Sequence, residues 1–106
     1  MGTASTMAIL CEALGLMLPG GAAVPAVHAD RLRQAEASGR RAAQLALAED
    51  AGDLTFDRII TPEAAENALR VLLAISGSTN AVVHLAAIFG RLGLTLDMDL
   101  LNRLSD

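Results

Sequence analysis

Two stretches of the chain are apolar on nearly every helical face. Met7 to about Leu16 carries Met7, Ile9, Leu10, Cys11, Ala13 and Leu14, with Glu12 as its charge. Ala81 to about Arg91 repeats the pattern. A helix that is apolar all round is expected to be buried all round. Each stretch follows a run of glycine and hydroxyl residues. These runs are Gly2-Thr3-Ala4-Ser5-Thr6 and Ser76-Gly77-Ser78-Thr79-Asn80. They read as turns that open helices, because the first N–H groups of a helix lack partners and Ser, Thr or Asn oxygens accept from them. Residues 1–6 form the first turn, with Thr3 or Ser5 as the expected N-cap.

The remaining pattern is weaker but readable. Leu18-Pro19-Gly20-Gly21 breaks the first helix. Ala22–Val27 is expected to be extended or irregular, with Pro25 keeping Val24 out of helix. From about Ala29 the chain turns polar and helical, with Leu32, Ala35, Ala43, Ala46 and Leu47 on one narrow face. It closes at Glu49–Asp53, with Gly52 as cap. Leu54–Ile60 reads as a short connection, partly extended. Thr61-Pro62-Glu63 is a strong helix start: N-cap, proline at the first helical position, acid in the first turn. That helix runs to about Ile75, with Ala65, Ala68, Leu69, Leu72 and Leu73 on one side. Gly93 ends the helix from Ala81. Leu94–Leu96 is expected to be extended, and Asp97 or Asp99 to cap a last helix through Leu104. The fold class expected is therefore mainly α.

Composition narrows the function classes. The 106 residues suffice for one domain. Hydrophobic residues make up 53%, yet only two are Phe and none is Tyr or Trp, so large aromatic anchors do not build the core. Apolar helices without aromatics look like interior pieces of something larger. Net charge is −4, and all eight basic residues are Arg. Lysine chemistry is thereby excluded within the chain. An acidic chain without aromatic–basic interleaving is a poor nucleic-acid binder. The first twenty residues lack a basic leader and are interrupted by Glu12, which argues against a signal peptide. No stretch has the ~18 uninterrupted apolar residues of a membrane span. The default expectation is a cytoplasmic protein.

Few residues offer chemistry of their own. The two glycine–hydroxyl runs can hold an anion or hydroxyls at a helix start, or can be ordinary caps, and pattern alone favours caps. The single cysteine, Cys11, sits in an apolar helix and reads as a small hydrophobe. His84 falls about one turn into its helix, either in reach of whatever the turn holds or as a satisfied buried histidine. His28 is expected to be exposed. Glu12, Asp97 and Asp99 are possible Mg²⁺ ligands, with capping the better reading of the two aspartates. Arg31, Arg33, Arg40 and Arg41 read as a solvated helix face.

Several motifs in order resemble one family. They are Met-Gly-Thr-Ala-Ser-Thr-Met-Ala (Met1–Ala8), Glu-Ala-Leu-Gly-Leu (Glu12–Leu16), Leu-Pro-Gly (Leu18–Gly20) and Ala-Val-Pro-Ala (Ala23–Ala26). Ser-Gly-Arg-Arg-Ala (Ser38–Ala42), Gly-Ser-Thr-Asn-Ala-Val-Val-His-Leu (Gly77–Leu85) and Leu-Asn-Arg-Leu-Ser (Leu101–Ser105) follow. Together they resemble the dihydroxy-acid and phosphogluconate dehydratases over the whole chain. The resemblance implies a hydro-lyase that turns a 2,3-dihydroxy carboxylate into a 2-keto acid with an iron–sulfur cluster and Mg²⁺. It implies a fragment of the N-terminal α/β domain of a longer, homo-oligomeric enzyme, with both ends cut and inactive alone. The cluster and Mg²⁺ ligands and the catalytic base match no residue here. What carries over is a supporting set: Thr3, Ser5 and Thr6 on the cofactor side, and Ser78, Thr79, Asn80 and His84 near a small hydroxy-acid substrate. Gly-Thr-Ala-Ser-Thr looks more like the sugar-acid branch. Ser76 stands where the family usually has glycine, and Phe89 where it has a small residue. The alternative expectation, from the apolar helices alone, is a non-catalytic helical protein that self-associates through them.

Overall fold

The computed structural model describes residues 2–105. They form six α-helices: α1 Gly2–Ala13, α2 Ala29–Leu47, α3 Phe56–Ile59, α4 Pro62–Ala74, α5 Thr79–Arg91 and α6 Met98–Ser105. Short 3-10 turns lie at Gly21–Ala23 and Ala51–Leu54. No strand occurs among the described residues. The segment Leu54–Ile60, expected to be a partly extended connection, is mostly helical, and Leu94–Leu96, expected to be extended, is irregular.

The core is the seam where α1, α4 and α5 meet, with α6 laid against α4. It is built by helical spacing. Ala65, Ala68, Leu69 and Leu72 come from α4, Ala81, Leu85 and Phe89 from α5. Leu10, Leu14, Ile60 and Leu101 complete it. Phe89 is almost wholly buried and fills core volume. The two helices that were expected to be buried all round differ: α1 has no exposed residue between Thr6 and Ala13, whereas α5 exposes Val83, His84, Ala86 and Ala87. Thr6 and Leu10 are the buried residues of α1, and α5 leaves Val83 68% exposed. The reason is the set of neighbours: α1 packs against α4, α5 and the Gly21–Ala23 turn, whereas α5 packs chiefly against α1.

The helix ends follow one rule. After α1, Gly15 N–H donates to the Glu12 carbonyl at 3.0 Å and Leu16 N–H to the Cys11 carbonyl at 2.9 Å. After α4, Ser76 N–H donates to Leu73 at 3.0 Å and Gly77 N–H to Leu72 at 2.9 Å. After α5, Gly93 N–H donates to Gly90 at 3.3 Å and Leu94 N–H to Phe89 at 2.9 Å. Each is a Schellman stop, which needs one residue in the left-handed region. Gly15 (φ 82°) and Gly93 (φ 74°) supply it without strain, whereas α4 uses Ser76 at φ 49°.

Helix α2 buries no residue. It is held instead by polar ties to the loop after α1. Arg31 donates to the carbonyls of Gly21 (3.0 Å) and Val24, and Gln34 Nε2 to that of Leu18 (3.2 Å). The same loop is clamped from α1: Glu12 accepts from Gly20 N–H at 2.6 Å and Ala22 N–H at 2.9 Å. These bonds, that of Ala22 first, hold the Glu12 carboxyl below the usual glutamate range. The molecule is open as a result. It measures 40 × 35 × 19 Å with a radius of gyration of 14.9 Å, against roughly 13 Å for a compact chain of this length. Its surface is 7038 Å², against roughly 5600 Å² for a compact chain of this mass.

Candidate functional site

The two glycine–hydroxyl runs, seventy residues apart in sequence, meet at one edge. Their local structures differ. Ser78 is the N-cap of α5, its hydroxyl oxygen accepting from Asn80 N–H at 3.3 Å. Thr79 and Asn80 are the first residues of the helix. The other run is no separate turn: Gly2–Thr6 already lies inside α1, so neither Thr3 nor Ser5 caps a helix that starts at Met7. The physical reason is visible at Thr6, whose hydroxyl donates to the Gly2 carbonyl four residues back at 2.7 Å. A threonine that bonds backwards in this way sits comfortably within a helix. Met1, which the expected turn included, lies outside the described residues.

Four side chains join the runs. Thr3 Oγ1 and Ser78 Oγ share a hydrogen bond of 2.9 Å. Asn80 Nδ2 donates to Thr3 Oγ1 at 3.2 Å. Ser78 N–H donates to Thr6 Oγ1 at 3.2 Å. Gly77 lets the backbones approach: a Cβ there would lie 2.6 Å from Leu72 Cδ1 and 2.8 Å from Thr6 Cγ2. The structure thus brings Thr3, Thr6, Ser78 and Asn80 together. Thr6 is buried and Thr3 and Ser78 half-buried, while Asn80 is exposed. Ser5, Thr79 and His84 are exposed and stand apart, with no side-chain hydrogen bond among the described residues. Exposure of His84 removes the reading of a satisfied buried histidine.

The other candidates resolve into supports. Asp97 Oδ1 accepts from Asp99 N–H at 2.9 Å at the start of α6. Arg33 pairs with Asp30, and Arg40 with Glu36 at 2.7 Å, on the exposed face of α2. His28 is exposed and caps α2, its Nδ1 accepting from Asp30 N–H at 3.2 Å. Sequence reasoning missed the loop clamps made by Glu12, Arg31 and Gln34, whose partners are backbone groups. Cys11 is half-buried in α1. Among the described residues no three His, Cys, Asp or Glu side chains are grouped to hold a metal ion. No described helix is long and apolar enough to cross a membrane.

Fold and site define a helical segment that holds two polar helix regions side by side on a one-sided core. The chain belongs to the dihydroxy-acid/6-phosphogluconate dehydratase family, whose N-terminal model matches residues 1–106. It is 46% identical to the dihydroxy-acid dehydratase of Methanospirillum hungatei over 104 residues, 98% of this chain. It is 44% identical to that of Caldicellulosiruptor bescii over 106 residues, 100% of this chain, and 46% to that of Ignicoccus hospitalis over 103, or 97%. The chain spans about 18% of the length of each of these relatives.

Proposed function

We propose that this chain is part of a hydro-lyase that removes water from a 2,3-dihydroxy carboxylate to give a 2-keto acid. The observation that carries the reading is the family match across residues 1–106. The names of the relatives favour a dihydroxy acid as substrate over the sugar acid suggested by Gly-Thr-Ala-Ser-Thr. In this reading the segment lies in the N-terminal α/β domain of a larger, homo-oligomeric, cytoplasmic enzyme, and the strands come from other parts of it. The iron–sulfur cluster and Mg²⁺ of that enzyme take their ligands from outside these residues. Thr3 and Ser5 support the cofactor side, while Thr6 is buried and tied to the start of the second run. Ser78, Thr79, Asn80 and His84 face the substrate, for which the exposed Thr79 hydroxyl and His84 ring are free to bond hydroxyl or carboxylate oxygens. Exposed apolar residues support a larger assembly: Val27, Leu32 and Leu47 are 98%, 77% and 86% exposed.

The test is to express the whole reading frame containing this segment without oxygen and to assay 2-keto acid formation. The substrates are a branched 2,3-dihydroxy carboxylate and a panel of aldonates. Turnover of the branched acid is expected. Iron-loaded, folded enzyme that dehydrates none of them overturns the proposal. The exposed Val83 on α5 favours one other reading, a non-catalytic protein that self-associates through apolar helices. A discrete, folded oligomer of the 106-residue chain in sedimentation would support it, and aggregation would count against it.

A further inference from the structure

We propose that Thr6 is a positioning residue, which acts through Ser78 and fixes the start of α5 relative to α1. This rests on the dehydratase reading above, in which Ser78 and Asn80 face the substrate. Thr6 is 5% exposed, the one buried polar side chain among the described residues. Its hydroxyl has one proton, and that proton goes to the Gly2 carbonyl at 2.7 Å. Its oxygen receives Ser78 N–H at 3.2 Å. The proton and one lone pair of the hydroxyl are therefore engaged within the protein, and its burial keeps it from the surface. Its methyl group meets the neighbouring residue, since a Cβ on Gly77 would come within 2.8 Å of Thr6 Cγ2. One side chain thus fixes residue 78 by a hydrogen bond and residue 77 by contact. Serine would keep the bond, valine the contact, and only threonine supplies both. Ser78 passes the constraint on: its hydroxyl accepts from Asn80 N–H and pairs with Thr3.

The experiment compares Thr6→Ser, Thr6→Val and Thr6→Ala in the full-length enzyme. Three quantities are read: steady-state kinetics on a branched 2,3-dihydroxy carboxylate, the visible absorbance of the cluster, and amide exchange at Ser78. Thr6→Val is expected to raise KM roughly tenfold with kcat little changed, the size of one lost hydrogen bond to a positioned group. Ser78 N–H exchange should quicken and the cluster absorbance stay the same. Thr6→Ser should remain within about twofold of wild type, because it keeps the bond. Thr6→Ala, which loses the bond without crowding its neighbours, should raise KM as Thr6→Val does and decides the matter if the valine variant fails to fold. An unchanged KM in both Thr6→Val and Thr6→Ala overturns the proposal. So does lost cluster absorbance at unchanged KM, which would put Thr6 at the cofactor. The wild-type control separates the failures: no turnover by wild type overturns the dehydratase reading, whereas turnover with indifferent variants overturns the positioning residue.

Discussion

Replacing Ser76 by glycine should stabilise the protein. Ser76 occupies the left-handed position of the Schellman stop after α4, at φ 49°. A side chain there brings Cβ against the following carbonyl, at roughly 1–2 kcal/mol. Glycine removes that strain. It also frees the unfolded chain, which returns about 0.4–1 kcal/mol to the unfolded state. Ser76 is exposed and its hydroxyl makes no hydrogen bond among the described residues, so no contact is lost. The net gain is about 0.5–1 kcal/mol.

Urea unfolding followed by circular dichroism measures it. With a slope of about 1 kcal/mol per molar, the midpoint should rise by roughly 0.5–1 M. Gly93→Ala is the matched control. The same stop follows α5, Gly93 sits at φ 74°, and an added Cβ meets nothing within 4 Å. Its cost, about 1 kcal/mol, therefore reports the backbone alone. If Gly93→Ala costs that much and Ser76→Gly gains nothing, the reasoning about Ser76 is refuted.

Gly77→Ala should destabilise by about 1–3 kcal/mol, because the added methyl overlaps Leu72 and Thr6; an unchanged urea midpoint would show that the two helices part without cost. Glu12 gives a pH dependence. Its folded pKa lies below the ordinary 4.5, lowered first by the Ala22 N–H and then by the Gly20 N–H, so its stabilisation is complete above 4.5 and is lost as pH falls through the lowered folded value. Asp57, lowered first by the Thr55 hydroxyl, adds a slope of the same sign. Glu12→Gln should flatten the wild-type decline in unfolding midpoint between about pH 5 and 3 without abolishing it; a variant as steep as wild type would contradict the clamp.

Where local chemistry decides, the sequence was legible. Thr61, Pro62 and Glu63 mark the start of α4, and Thr61 Oγ1 accepts from Ala64 N–H at 3.2 Å. The apolar spacing of Ala65, Ala68, Leu69 and Leu72 marks its buried face. What the sequence hid has physical causes. The start of α1 was misplaced because hydroxyls that cap a helix from outside also bond backwards from inside, as Thr6 does. The clamps of Glu12 and Arg31 end on backbone amides and carbonyls of a loop, which have no residue code. His84 was ambiguous because burial depends on how many neighbours a helix acquires, which is set outside the helix.

Helix α5 shows what that dependence means. Its inner face, Ala81, Leu85 and Phe89, fills the core. Its outer positions Val83, Ala86 and Ala87 are just as apolar, yet they are exposed. A helix that evolved to face water carries charge on its outer side, and α2 does so with its Asp30–Arg33 and Glu36–Arg40 pairs. The contrast lies within one chain, so overall composition does not explain it. The outer face of α5 is built like an inner one, and it begins beside the polar edge where Ser78 and Asn80 meet Thr3. In the dehydratase reading, whatever covers that face also closes one side of the substrate edge. A second copy of the chain covering it would place two polar edges together instead. These arrangements predict different effects for a charge at Val83. In an oligomer of the 106-residue chain, Val83→Glu would split the oligomer. In the full-length enzyme it would lower the yield of folded protein.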